Sequence, residues 1–347
     1  MAQNDMALVI AIKRYPSFGG NASSASRDLR GPVNDAAAFT EWLKAQDGGD
    51  VPSANVFSVT SDDFPAGGPT GPVLKDLTDK LDAFKTALKQ PPKKRRLYIY
   101  VSGHGYGRRR TEGGLYLADA TPNSLTNLFV TDYFNWFMAS AHFKECVLFC
   151  DACMDQGRLA SPSPAHWRRE IRPTSHNTKA VGAYAARFAG RAVEGTMSNG
   201  QDHGAFSYAL KLGLDGAAAI VDAQGNRSIT TDSLRDYLIA TMQKLMTDAQ
   251  LQHPLVSTEP DFGPFDTLTL VENAPKFTRL LRVALPPEVA NATLELENAA
   301  LDKLGQVAAV NGQVTLTLAP GMYVLAEIGG WEGAFEFTGA ETRIDLG

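Results

Sequence analysis

Five short apolar runs, "ALVIAI", "NVFSVT", "RRLYIYVSG", "CVLFCDA" and "KAVGAYAA", punctuate residues 7–186, and segments of helical spacing lie between most of them. Continuous apolar runs of this length are what strands buried on both faces require, and such strands need helices above and below them. "VNDAAAFTEWLKAQ" sets Val33, Ala36, Ala37, Phe39 and Leu43 on one helical stripe. "GPVLKDLTDKLDAFKTALKQPP" is a second helix, stopped by its prolines. "VTDYFNWFMASA", "GAFSYALKLGLDG" and "TTDSLRDYLIATMQKLMTDA" supply further helices, and "GGLYLAD" a shorter strand. Strand and helix in alternation predict an α/β fold on a mostly parallel sheet with helices on both faces.

From about residue 275 the pattern changes. "FTRLLRVAL", "ATLELEN", "QVAAV", "QVTLTLA", "MYVLAEI", "AFEFTG" and "TRIDL" are short, many alternate, and turn residues divide them. They predict a small all-β sandwich. The expected organisation is a first domain over 1–270 and an accessory β domain over 275–347, with "ENAPK" as linker. The polar stretch from Gly157 to Lys179 reads as a long loop inside the first domain.

Bulk properties exclude several function classes. A formal net charge of −5 and a pI near 5.7 give no pull toward nucleic acid or an anionic membrane. Two basic runs, Lys93 to Arg96 and Arg108 to Arg110, read as solvated loop charges. Nothing approaches the roughly 18 apolar residues of a membrane span, and "MALVIAI" lacks the flanks of a secretory signal. Three clustered cysteines, 146, 150 and 153, fit a reducing compartment better than a disulfide framework. The expectation is a cytoplasmic protein.

Chemistry is concentrated at two strand ends. In a parallel α/β sheet, ligands gather beyond the carboxyl ends of the strands. His104 follows "LYIYVSG" and Cys153 follows "CVLFCDA", 49 residues later. If the strands are neighbours, both side chains reach one crevice. An imidazole can take the thiol proton and later return it to a leaving amine. The backbone N–H groups of Gly105 and Cys153 are placed to form an oxyanion hole. Cys146 and Cys150 read as packing residues. No metal site is expected, since C-x₂-C occurs once with no second pair to close a zinc centre.

Four blocks in order, "ALVIAI" with "LRGPVNDAAAF", "YVSGHG", "FCDAC" and "HGAFSYALKLGL", make the chain similar to the caspase-like cysteine peptidases of family C14. The resemblance is nearest to the metacaspase and bacterial orthocaspase branch. It implies a caspase-like fold with a p20-like part over 1–157 and a p10-like part over 180–270. It also implies His104 as general base, Cys153 as nucleophile, and Asp35 and Asp151 as the acidic S1 pair. Asp-specific relatives build that pocket from arginine and glutamine. Here Leu29 takes the arginine position, with Arg30 one place out of register, and Asp151 takes the glutamine position. Protein or peptide substrates with Arg or Lys at P1 are therefore expected.

The departures are specific. "MDQG" follows the nucleophile where metacaspases have H-S-G, and "YGRRRTEGG" stands where calcium-dependent members carry an acidic insertion. No cofactor is expected, and calcium activation is not implied. Arg158, Arg168, Arg169 and Arg172 in loop 157–179 are candidate self-cleavage sites. Two alternatives stay open: a catalytically silent caspase-fold interaction module and an Asp-specific peptidase. The β domain carries no evident chemistry, and its expected role is to bind a protein partner or to brace the peptidase.

Overall fold

The computed structural model of the chain describes residues 4–18, 27–65, 67–88, 94–140, 142–155, 162–167 and 178–347. The α/β part begins with β1 (Met6–Ala11), α1 (Pro32–Lys44), β2 (Val56–Thr60), α2 (Leu74–Leu88) and β3 (Lys94–Gly103). A small antiparallel sheet follows, made of β4 (Gly105–Arg109), β5 (Glu112–Tyr116) and β6 (Asn127–Leu128). Next come α3 (Val130–Ser140), β7 (Phe143–Ala152) and β8 (Lys179–Tyr184). The hairpin of β9 (Glu194–Thr196) and β10 (Asp202–Gly204) leads into α4 (Ala205–Leu212). β11 (Ile220–Val221), β12 (Arg227–Thr230), α5 (Thr231–Met242), β13 (Asp261–Phe265) and β14 (Thr269–Glu272) complete it.

The central sheet has the order β13-β8-β7-β3-β1-β2. Every pairing in it is parallel except β13 with β8. Successive strand residues face opposite sides of a sheet, and the apolar runs use both. Leu8, Ile10, Ile99 and Leu148 pack under α2 and α3. Ala7, Val9, Tyr100 and Phe149 pack under α1, α4 and α5.

The C-terminal part is all β: β15 (Arg279–Ala284), β16 (Thr293–Asn298), β17 (Lys303–Ala308), β18 (Gln313–Leu318), β19 (Gly321–Ala326), β20 (Glu332–Phe337) and β21 (Arg343–Asp345). Its two sheets, β18-β15-β21 and β17-β16-β19-β20, share a core that includes Leu281, Leu294, Val314, Leu325 and Phe337. "ENAPK" is pinned rather than free. Ala274 is buried and donates its N–H to Arg227 O, while Pro275 O accepts from Arg227 Nε at 3.3 Å. Gly216 makes room for the Pro275 carbonyl, and its φ of +117° is one that other residues rarely adopt.

Two expectations need correction. Within the first basic run, Lys93 lies outside the described residues, and Arg96 is not solvated, being 1% exposed. Its guanidinium reaches Glu145 at 2.7 Å, Thr269 O at 2.6 Å and Tyr98 OH at 2.9 Å, which ties β3 to β14, while Arg95 pairs with buried Asp5. A long cationic side chain with this many acceptors can be buried, and spacing alone cannot reveal them. Second, the expected helix beginning at "TTDSL" ends at Met242. Thr247 starts a new short turn there by accepting from Gln250 N, and Gln250 reaches back to Thr247 N. In the 157–179 stretch, the described residues 162–167 form no helix or strand, yet Trp167 is buried and donates Nε1–H to Asp82 at 2.7 Å.

Among the described residues, no helix is long and apolar enough to cross a membrane. Removing one partner of a buried ion pair strands the others, so Arg96→Ala should cost about 3 kcal/mol in urea unfolding. A loss under about 1 kcal/mol would show that the contact with β14 contributes little.

Candidate active site

β3 and β7 pair in parallel with Gly103 opposite Ala152. The chain therefore leaves both strands at the same edge, His104 one residue beyond the first and Cys153 one beyond the second. Two glycines allow the close approach. Gly103 has φ +151°, and a Cβ there would lie 2.6 Å from the Tyr15 hydroxyl. A Cβ on Gly105 would lie 2.6 Å from Ala152 Cβ and 2.8 Å from Cys153 O. No side chain larger than hydrogen fits either position without moving backbone.

His104 is held from several sides. Its N–H donates to Tyr15 OH at 2.9 Å, and its ring lies 4.7 Å from Tyr15 and stacks 5.4 Å from Phe18. Nε2 is 2.7 Å from Arg27 O. A carbonyl only accepts, so Nε2 carries the proton and Nδ1 keeps its lone pair. Burial holds the His104 pKa below its ordinary value, against the Arg27 carbonyl bond that raises it. Cys153 is half-buried, with Sγ 3.9 Å from Ala192 O. Burial pushes its thiol up to about 11. At rest, near neutral pH, both groups are therefore uncharged.

Two cavities meet at these residues. One of about 380 Å³ is lined by His104, Gly105, Cys153, Arg27, Asp155 and Arg191. The other, of about 120 Å³, is lined by His104 and Cys153 together with Asp35, Asp151, Glu194 and Leu29. Asp35 comes from the first turn of α1 and Asp151 from the penultimate position of β7. Both are buried. Asp35 accepts from Gly204 N at 3.1 Å and sits 2.6 Å from His203 Nδ1. Asp151 accepts from the hydroxyl and N–H of Ser207. Burial raises both pKa values above the usual carboxyl range, and the Asp35 charge raises Asp151 further. Gly204 leaves the space, because a Cβ there would collide with the Asp151 carboxylate.

The structure thus brings His104, Gly105, Cys153, Asp35 and Asp151 together. The Gly105 pairing with Leu115 is a non-hydrogen-bonded one, since Tyr116 N–H donates to His104 O at 2.8 Å; the Gly105 N–H is turned away from β5. Cys146 and Cys150 are free thiols buried in the core under α2 and α3, and burial pushes both thiols up. Arg158, Arg168, Arg169 and Arg172 lie outside the described residues. Among the described residues, no group of three or more His, Cys, Asp or Glu side chains is arranged to hold a metal ion.

Sequence reasoning missed three contributors. Glu194 lines the second cavity and accepts from Arg30 N and Gly31 N, at 3.1 and 3.0 Å. A lone glutamate in "AVEG" carries no signal. Tyr15 and Phe18, which flank His104, lie between β1 and α1 and belong to no helix or strand whose periodicity could mark them.

A protein-family model described as the caspase domain of peptidase family C14 matches residues 4–260. A protein named as a probable protease from a Desulfuromonadales bacterium is 30% identical over 257 residues, which are 67% of this chain and 28% of that protein. The chain thus spans under a third of that relative's length. Among solved structures, caspase-1 from Spodoptera frugiperda overlaps 78% of this chain and 90% of its own, at 16% identity and TM-score 0.44. Protein GSU0716 from Geobacter sulfurreducens overlaps 77% and 93%, at 12% identity and TM-score 0.44. With the family match running through β3, β7 and both cavity-lining strand ends, the chain belongs to the caspase-domain family of peptidases, C14.

Proposed function

We propose that this chain is a cysteine endopeptidase that cleaves peptide bonds after Arg or Lys. One observation carries the reading: a thiol and an imidazole line one cavity, and also line a second whose walls include two buried carboxylates. As substrate enters, His104 Nδ1 takes the Cys153 proton and Sγ attacks the carbonyl carbon. The resulting oxyanion is held by the Gly105 and Cys153 N–H groups. Collapse breaks the C–N bond while His104 returns the proton to the departing amine, leaving a thioester. Water, deprotonated by the same imidazole, attacks the thioester and restores the thiol.

Neutrality of both groups at rest fits general-base catalysis, not a preformed thiolate. Beside them, Asp35 and Asp151 have no Arg or Lys side chain among the contacts described, and His203 is the one ionisable base that touches the pair. Two like charges there are costly unless a cation joins them. A P1 guanidinium or ammonium is such a cation, and Glu194 at the rim adds to its attraction. An Asp-ended peptide would add a third carboxylate, which disfavours the acidic-P1 alternative. Self-processing after Arg158, Arg169 or Arg172 belongs to the same proposal, as does the absence of a calcium requirement.

Three outcomes are expected. Arg- and Lys-ended fluorogenic peptides should be cut and Asp-ended ones spared. Cys153→Ala should lower kcat by about 10⁴ or more, and His104→Ala by about 10²–10⁴. Cleavage of Asp-ended peptides, or activity that survives Cys153→Ala, would refute the proposal.

The carboxylate pair makes a pH prediction. A carboxyl whose folded pKa is raised costs stability as pH climbs from the unfolded carboxyl value through the folded one. Asp151→Asn should therefore gain stability relative to wild type between about pH 4 and about pH 8 in urea titrations. A difference that stays flat with pH would count against burial as the cause.

Catalysis shifts in a related way. A cationic P1 group binds the ionised pair, so kcat/KM for Arg peptides should rise with pH as the carboxyls ionise. Asp35→Asn removes the charge that lifts Asp151. It should weaken KM yet move the acid limb of kcat/KM to lower pH. An acid limb that stays in place would assign it to another group.

A further inference from the structure

Arg279, at the start of β15 in the C-terminal β part, reaches into the α/β part. Its Nη2 donates to Ser198 Oγ at 2.8 Å and to Tyr208 OH at 2.9 Å, and these two hydroxyls are 2.9 Å apart. Its Nη1 donates to Gly339 O at 2.9 Å, so the guanidinium is fixed from its own side as well. The planar fork of an arginine suits such a bridge, where a lysine offers only a point charge.

Both contacts lead to the acidic cavity. Ser198 and Asn199 lie in the exposed turn of the β9–β10 hairpin. Gln201 N–H donates to Asn199 Oδ1 at 3.1 Å, which turns the Asn199 amide nitrogen toward His203 Nε2, also at 3.1 Å. That nitrogen must then accept, so the proton sits on Nδ1 and is donated to Asp35 Oδ1 at 2.6 Å. A neutral His203 donates to Asp35 without bringing a compensating charge; an imidazolium would bring one. Tyr208 packs its ring 5.3 Å from His203, and its neighbour Ser207 is the donor to Asp151. One arginine thus steadies the supports of both carboxylates.

We propose that Arg279 is a positioning residue for P1 selection: it latches the β9–β10 turn and the start of α4, so that neutral His203 presents Asp35 as an ionised acceptor. The inference rests on reading Asp35 and Asp151 as the P1 pocket. It makes the β part a component of substrate selection, acting through the Asn199–His203–Asp35 chain of hydrogen bonds.

The test uses the full chain and an Arg-ended fluorogenic peptide. Arg279→Ala and Asn199→Ala should each raise KM about tenfold with kcat changed less than about twofold, and the double variant should not exceed the larger single effect. Arg279→Lys should recover part of the loss. Lys244→Ala is the control, because Lys244 bridges the same two parts through Glu336 and Glu341 without touching the turn. Its KM should stay at the wild-type value. A wild-type KM in Arg279→Ala, or an equal rise in Lys244→Ala, overturns the latch.

Nitrogen chemical shifts of ¹⁵N-labelled His203 read the relay independently of hydrolysis. In wild type, near neutral pH, they should show a protonated Nδ1 and a bare Nε2, and this state should be perturbed in Arg279→Ala and Asn199→Ala. Shifts indifferent to both changes overturn the relay. If no basic peptide is cut by wild type, the pocket reading falls, and these shifts still decide whether Arg279 governs His203.

Discussion

From Lys94 opposite Phe143 to Gly103 opposite Ala152, β3 and β7 lie side by side in parallel, and both carry apolar residues to each face of the sheet. Everything distinctive about the crevice depends on that registry. In a parallel pair, residues opposite one another lie at the same height, so both chains leave the sheet together. A one-residue slip would invert every side chain and bury His104 or Cys153 differently. Helices on both faces forbid the slip, because it would cost the packing of α2 and α3 on one side and of α1 and α4 on the other. The glycines at 103 and 105 then let the two exits approach until backbone meets backbone.

The acidic cavity is a place where the fold tolerates a local cost. Burying two carboxylates side by side works against stability, and their raised proton affinity is the measure of that cost. Hydrogen bonds from Ser207, Gly204 and His203 offset it in part. Such arrangements are common where a ligand of opposite charge completes the set. On the proposed reading, the peptidase is at its electrostatic best only when substrate is present. The same logic explains why so many neutral donors surround the pair: a resident arginine would stabilise the empty pocket and compete with substrate.

Legibility followed the range of the interactions. Strands buried on both faces announced themselves in "ALVIAI" and "CVLFCDA", because burial leaves its mark residue by residue. His104 and Cys153 were legible because each sits at a strand end inside a short block, and Asp35 and Asp151 because the family resemblance pointed to them. Arg96 was misread, since the acceptors that bury it come from β7 and β14, far away in sequence. Glu194, Tyr15 and Arg279 stayed invisible for the same reason. Arg279, Tyr15 and Glu194 meet Ser198, His104 and Arg30 across 81, 89 and 164 residues, and none carries a local pattern. The short strands β9, β10 and β12 lack periodicity because they are only three or four residues long.

The placement of the three thiols has a consequence for how this molecule meets electrophiles and oxidants. Cys146 and Cys150 are sealed within the sheet's core, where reagents in solution do not reach. Cys153 alone opens onto a solvent-connected cavity. Modification of the folded chain should thus saturate at one equivalent, which turns simple mass gain into a count of native molecules. The cluster of sulfur around one strand would then behave, toward the outside world, as a single reactive atom.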